Sequence, residues 1–253
     1  MIRTAVILAA GIGSRLGGEL TDRPKGFLQL GDRPIIEESL ARLVQAGIRK
    51  IFIVTGHRAE YYESLRPAAG VSLTTVHNPE YAASGSMYSL YCARQQLRDA
   101  FLLLESDLIY EPRALAELLR HPADDAVLVS GPTGAGDEVW VATRGGRLSG
   151  MSKQADSFDD DQQIVGELVG ISKISPALFR IMLRVSEAAF ENSLRYDYET
   201  GALVAAAQER AIACPLIADL AWSEIDDPSH LRRARDIVYP EIRRRAHAGV
   251  EQQ

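Results

Sequence analysis

The chain has 253 residues, 46% hydrophobic and 25% charged, an ordinary composition for a folded globular protein. A formal net charge of -6 and a pI near 5.5 argue against a nucleic-acid partner, which selects a basic face. They leave room for a small anionic ligand held by a few local cations. No apolar run approaches the ~20 residues of a membrane span, and the apolar residues 2–10 give way at once to glycines and charges rather than to a signal-peptide pattern, so the expectation is a cytoplasmic protein with no membrane partner.

Residues 4–10 form a short continuous apolar run, as a parallel strand buried on both faces would. Residues 34–46 carry helical periodicity, with Pro34 suited to the first helical position and Gly47 to the stop. Residues 50–55 and 71–76 are strand-like, 86–97 helical, 100–105 a strand ending in "ESD", 112–120 a helix and 126–130 a strand. The alternation predicts an α/β fold with a Rossmann-like, doubly wound, mostly parallel sheet. Beyond it, residues 138–143 and 147–151 suggest a hairpin around "RGG", and the acidic stretch "SKQADSFDDDQQ" a solvated loop. A strand is predicted over 167–172, helices over 176–190 and 199–209, a strand over 212–217 and a C-terminal helix over 228–245. With no repeat and no Pro/Ser-rich linker, one domain is expected over 1–253. Its nucleotide part covers about 1–130, a small β-rich acceptor subregion about 131–225, and a C-terminal helix 226–253. Cys92 and Cys214 lie far apart without metal-ligand spacing and read as buried thiols, and the five histidines form no HExxH pattern.

The loop after the first strand, "LAAGIGSRLG", brings backbone N–H groups together ahead of an expected helix, an arrangement that favours phosphate. Gly11 and Gly13 let a ligand approach the backbone closely. A dinucleotide fingerprint fails because Leu16 stands at the third-glycine position and the second strand ends in Thr and Gly; a P-loop fails because the chain has no Gly-Lys pair. Arg15 and then Lys25 of "RPKGF", the latter behind the stiffening Pro24, put two cations beside one glycine loop, which suits a triphosphate. Asp107 lies just past the carboxyl end of the strand at 100–105, where open α/β sheets bind ligands, and is the obvious oxygen donor for Mg²⁺. Glu105, two residues earlier, would face the same side.

"LAAGIGSRLG" followed by "RPKGFLQLGDRPIIE" resembles the signature of the nucleotidyltransferase superfamily that makes sugar nucleotides and CDP-alcohols. The resemblance implies that Arg15 and Lys25 are phosphate-binding and catalytic cations and that Asp107 binds metal. "AWSEIDDPSHLRRA" is similar to the closing motif of phosphocholine-type cytidylyltransferases, which implies a second metal carboxylate at Asp226, with Glu224 able to share the site. His230 stands where that family often has Asp, and Asp227 suits a cap for the helix beginning at Pro228. The implied nucleotide contacts are Leu8, Ala9, Ala10, Gly11, Gly13, Ser84, Gly85, Ser86 and Ser106. Ser86 could equally be the N-cap of the next helix.

"SGSMYSLY" departs from the phosphocholine branch. With "FLLLESDLIYE", "SGPTGAGDEVWV" and "GELVGISKIS" it is similar to the 2-aminoethylphosphonate cytidylyltransferases of phosphonate biosynthesis. The implied partners are CTP and a small zwitterionic acceptor, with Mg²⁺ as cofactor. On the chain itself, Lys153 could meet the phosphonate. Asp137 and Glu138, or Tyr196, Asp197, Tyr198 and Glu199, could meet the ammonium. The basic helix end at 241–249 could be exposed to solvent or form part of a homodimer contact.

Overall fold

The computed structural model describes residues 1–20 and 23–250, with the side chains of 18–20 and 247–250 left aside. Residues 251–253, at the end of the expected C-terminal segment, and part of the basic helix end that could form a dimer contact lie outside what is described.

Strand β1 is Thr4–Ala9, six residues buried on both faces, which is why its sequence is apolar without alternation. After a loop and a kinked 3-10 segment, Ser14–Leu20, come helix α1 (Ile35–Gln45), strand β2 (Lys50–Thr55), helix α2 (Ala59–Glu63) and strand β3 (Ser72–His77). Helix α3 (Ser86–Cys92), strands β4 (Phe101–Glu105) and β5 (Leu108–Tyr110), helix α4 (Arg113–Arg120) and strand β6 (Ala126–Ser130) follow. The second half holds β7 (Trp140–Arg144), β8 (Arg147–Ser152), the long β9 (Gln163–Ile174), α5 (Pro176–Phe190), α6 (Val204–Ala207), β10 (Leu216–Ile217), β11 (Trp222–Glu224), α7 (Pro228–Arg233) and α8 (Tyr239–Val250).

One sheet runs β10-β6-β9-β4-β1-β2-β3, with the β7–β8 hairpin joined to β9. β1 to β4 pair in parallel, and β9 lies antiparallel between β4 and β6. This is the expected Rossmann-like, mostly parallel architecture. Apolar side chains fill both faces: Val6, Leu8, Leu103 and Val129 on the side of α3 and α5, and Ile7, Ile53, Leu104 and Leu128 on the side of α1 and α4. A third cluster packs Leu16, Ile35, Ile109, Ile225 and Leu231 between the first loop and the C-terminal helices. Leu16, which stands where a dinucleotide fold would have its third glycine, is thus a core residue.

β2, β6 and α5 have the predicted limits, and other elements differ for physical reasons. Pro34 sits at the N-cap of α1 rather than inside it. The strand expected over 212–217 shrinks to β10, because Pro215 has no N–H to give and the segment meets β6 mainly through the carbonyls of Ala213 and Pro215. The helix expected over 199–209 begins as a π-turn at Tyr198–Leu203, with Ala202 N–H bonded to Asp197 O at 3.1 Å. The C-terminal helix carries another π-turn, Ala234–Val238, just ahead of Pro240, which cannot donate to the ladder. α3 ends at Cys92, five residues short of expectation. Both cysteines are free and half-buried rather than fully buried. Among the described residues no helix is long and apolar enough to cross a membrane.

Candidate active site

A cavity of about 650 Å³ opens at the carboxyl ends of β1 and β4. The loop leaving β1 forms one wall. Leu8, Gly11, Gly13 and Arg15 line it, whereas Ala9 and Ala10 are buried and turned away, and the Ala10 carbonyl accepts from His57 N–H. No α-helix follows the glycines as the sequence suggested. A 3-10 segment kinked at Gly17 follows instead, so the loop residues Gly11 to Arg15 line the cavity without an α-helix dipole behind them.

Lys25 sits at the centre. Its Nζ donates to Asp107 Oδ2 at 2.8 Å and to Asp226, while Arg15 donates to Asp226 Oδ2 at 2.6 Å. Burial works against the Lys25 ammonium, but Asp107 and then Asp226 outweigh it and raise its pKa. Burial likewise opposes ionisation of Asp226, and Lys25 followed by Arg15 overcomes it, so the Asp226 pKa is lowered. The turn carrying Lys25 is held from below: a Cβ at Gly26 would lie 2.9 Å from the Tyr62 hydroxyl and 3.2 Å from Ser106 O. Phe27 meets the rings of Tyr61 and Tyr62 edge-on at 5.2 Å. Tyr62 is a positioning residue that sequence reasoning missed, since nothing in "AEYYE" marks it.

Asp107 and Asp226 come together through a two-stranded antiparallel ribbon. β5 pairs with β11 in the register Leu108↔Glu224, Ile109↔Ser223, Tyr110↔Trp222, and Ile225 N–H donates to Asp107 O at 3.2 Å. Asp107, Glu224 and Asp226 consequently present ligand oxygens all within 4.8 Å of one another. Burial, then Asp107, then Asp226 push the Glu224 carboxyl well above its ordinary pKa. Three hard oxygen donors that repel one another fit a small divalent cation such as Mg²⁺. Asp227, as expected, is the helix cap, accepting from Ser229 N–H at 2.7 Å and His230 N–H at 2.9 Å.

The far wall comes from α3, the π-turn and β9. Ser84 lines the cavity and accepts from Asn78 Nδ2 at 3.0 Å. Ser86 lines it too, but is not a cap: Gly85 holds the N-cap position, and Ser86 Oγ accepts from Tyr198 N–H at 3.0 Å. Gly85 packs under the Tyr196 backbone and does not face the cavity. Ser106 is a wall residue whose N–H bonds to Leu8 O at 3.0 Å.

Of the expected acceptor residues, Lys153, Asp137, Asp197 and Glu199 reach the cavity, while Glu138, Tyr196 and Tyr198 do not line it. Glu138 turns back to Gly136 N–H, Tyr196 packs on Gly85 and Gly201, and Tyr198 is fully buried. Burial pushes the Glu199 carboxyl up to about 7. Glu105, Glu167, Trp222, His230 and Arg233 also line the cavity without having been selected from sequence. Glu167 accepts from Thr133 N–H at 2.7 Å and Thr133 Oγ1 at 3.0 Å, and burial pushes its pKa up to about 7. His230 lies 3.3 Å from Asp137 Oδ1, so the glycine-rich loop between β6 and β7 is tied to α7. Both polar residues sit inside otherwise ordinary strand and helix patterns, which hides them.

Residues 5–238 match the MobA-like NTP transferase domain, and the chain belongs to that family. It is 32% identical over 243 residues to the CMP-5'-(3-aminopropyl)phosphonate synthase of Streptomyces rubellomurinus, an alignment covering 91% of this chain but only 38% of that protein. Over 184 residues it is 29% identical to the choline-phosphate cytidylyltransferase of Streptococcus pneumoniae, covering 66% of this chain and 80% of the relative. The 2-aminoethylphosphonate cytidylyltransferase of Lancefieldella rimae is 31% identical over 119 residues, 43% of this chain and 47% of that one. Among solved structures, the inositol-1-phosphate CTP transferase from T. maritima superposes with a TM-score of 0.75 at 18% identity, covering 96% of each chain, a likeness of fold.

Proposed function

We propose that the protein is a cytidylyltransferase that moves CMP from CTP to 2-aminoethylphosphonate, releasing pyrophosphate. The observation that carries this reading is Lys25, fixed between Asp107 and Asp226 at the mouth of the glycine loop. Two relatives whose names describe cytidylyl transfer to phosphocholine and to 2-aminoethylphosphonate, and a third named for a CMP-aminoalkylphosphonate, support the nucleotide and the acceptor class.

The loop from Gly11 to Arg15 would receive the triphosphate, and Ser84 and Ser86 the base and ribose. A phosphonate oxygen of the acceptor attacks the α-phosphorus in line; the bond to the bridging oxygen breaks and pyrophosphate leaves with its electron pair. The acceptor is already an anion near neutral pH, so no side chain has to take a proton. Lys25 stabilises the charge that grows on the α-phosphoryl oxygens, and Arg15 the charge on the leaving group. Asp107, Glu224 and Asp226 would hold Mg²⁺, which supplies further charge neutralisation and alignment of the phosphoryl groups.

Pyrophosphate release with CTP and Mg²⁺, across 2-aminoethylphosphonate, phosphocholine, phosphoethanolamine and a hexose 1-phosphate, tests the assignment. Preference for 2-aminoethylphosphonate is expected. Preference for phosphocholine would keep the catalytic groups and overturn the acceptor, whereas CTP binding without turnover of any acceptor would favour a nucleotide-binding regulator.

A further inference from the structure

We infer that a second cavity, at the opposite edge of the sheet from the active site and walled by Arg3, Lys173, Arg180 and Arg210, is a binding site for the phosphate group of a small molecule. This second site is independent of the cytidylyl-transfer reading.

The cavity measures about 770 Å³. It opens where β1 and β4 begin and β9 ends, because β9 runs antiparallel to β4 and Lys173 pairs with Leu102 and Ala126. The active site lies at the other end of the same strands. β1 has six residues, so roughly 20 Å of strand separates the two cavities.

The fold places each cation. Arg3 precedes β1, and its carbonyl accepts from Arg49 N–H at 2.9 Å and Lys50 N–H at 3.0 Å, so its backbone is fixed while the residue is exposed. Arg180 stands in the second turn of α5 and is exposed as well. Arg210 reaches the cavity beside the buried Asp125, which accepts from Arg210 Nε, from Ser175 N–H at 2.7 Å and from Ser175 Oγ at 3.1 Å. Among the described residues Arg210 is the one of the four cations with a carboxylate ion pair, to Asp125 and, at 3.9 Å, to Asp124.

Lys173 is the group that most lacks a counter-ion. It is 6% exposed, and its Nζ donates to the His121 carbonyl at 2.7 Å. An ammonium carries three donors, so two remain. Burial lowers its pKa by more than Asp124 and Asp125 raise it, so neither aspartate compensates the charge. A buried cation without a paired anion is destabilising, and an anion in the cavity would relieve it.

The remaining walls fit the same occupant. Two exposed carboxylates, Asp99 and Asp124, line the cavity, and with the buried Asp125 they still leave the four cations in surplus, in a chain whose net charge is -6. The fifteen-residue α5 brings its amino end to the cavity through Ser175, Pro176 and Ala177. Ser175 Oγ takes Leu178 N–H at 3.1 Å and Ser175 O takes Phe179 N–H at 2.9 Å, and Pro176 has no N–H, so Ala177 N–H and the helix dipole remain for an anion. Guanidinium groups match phosphate oxygens in a planar fork, and a cavity of this size admits a nucleotide-sized ester as well as free phosphate.

The test titrates inorganic phosphate, and separately CMP, into the Arg15→Ala/Lys25→Ala protein, whose nucleotide loop lacks its cations. The buffer holds no phosphate and no Mg²⁺, and sodium chloride at equal ionic strength is the control. Calorimetry reads Kd and thermal unfolding reads Tm. Phosphate should bind and raise Tm where chloride does not. Adding Arg3→Ala/Arg180→Ala should weaken that binding by about 10-fold or more, and because both side chains are exposed the fold should be kept. Lys173→Met in the same background should hold or raise Tm without phosphate and lose the phosphate-dependent rise. Tighter binding of CMP than of phosphate would name an ester as the occupant, and equal binding would name free phosphate; both uphold the site. No binding beyond the chloride control, or binding that survives Arg3→Ala/Arg180→Ala unweakened, would overturn it. A Lys173→Met protein with lowered Tm and an intact phosphate response would make the lysine a structural donor to His121 and would overturn it too.

Discussion

Lys25 donates to Asp226 across 201 positions of sequence, tying the first loop of the chain to the turn ahead of α7. The contact exists because β11 returns to pair with β5, and it places a cation from the phosphate loop against two of three clustered carboxylates. The site is therefore assembled by tertiary pairing, and its parts are expected to fail in distinguishable ways.

Two glycines separate folding from ligand approach. A Cβ on Gly85 would lie 2.6 Å from Tyr196 O and 2.7 Å from Tyr196 N, backbone atoms that cannot swing aside. Gly85→Ala should cost about 1–3 kcal/mol in chemical denaturation. A Cβ on Gly11 would meet nothing within 4 Å, yet Gly11 lines the cavity. Gly11→Ala should leave stability within about 0.5 kcal/mol and weaken CTP binding, measured by calorimetry. The reverse pattern would contradict the placement of the loop.

Removing the metal should be visible without any turnover. Mg²⁺ titrated into the wild type should raise Tm, by about 2.7 kcal/mol of stabilisation at a hundred times its Kd. The Glu224→Gln/Asp226→Asn double variant should lose that gain, and EDTA should stop pyrophosphate release by the wild type. An undiminished Mg²⁺ shift in the double variant would place the ion elsewhere.

Glu167 gives the stability a pH dependence. Its folded pKa is pushed up to about 7 by burial, above the ordinary carboxyl value. The folded state therefore holds this proton more tightly than the unfolded chain does. The stability it contributes is present below the unfolded pKa of ~4.3 and is lost as pH rises through about 7. Between pH 5 and 8 the wild type should lose about 1–3 kcal/mol from this group, and Glu167→Gln should flatten that part of the profile. Glu199, also pushed up to about 7, acts with the same sign. A Glu167→Gln profile parallel to wild type would rule the effect out.

The part of the site legible in sequence is the part that is local. The buried run of β1, the glycines after it and Lys25 behind Pro24 all lie within one stretch, and the carboxylates of "ESD" and "SEIDD" stand in short motifs. β5 and β11 do not show in the sequence, because three residues are too few for alternation. Their pairing register, which brings Asp107 to Asp226, is a tertiary fact. Tyr196 and Tyr198 flank Asp197 and Glu199 in sequence, but the Tyr196 ring packs where a Gly201 side chain would be and the π-turn at Tyr198–Leu203 buries Tyr198, so neighbourhood in sequence does not bring them to the cavity wall. Glu105 lines the cavity at the end of β4, but the sequence shows only that it would face the same side as Asp107.

The most direct test of the central claim is the rate of pyrophosphate release by Lys25→Ala with saturating CTP, Mg²⁺ and 2-aminoethylphosphonate. The expected result is a kcat lowered by roughly 10²–10³-fold, with a wild-type circular dichroism spectrum and CTP still bound. A folded Lys25→Ala protein that releases pyrophosphate at the wild-type rate would contradict the role given to Lys25 and, with it, the account of the site.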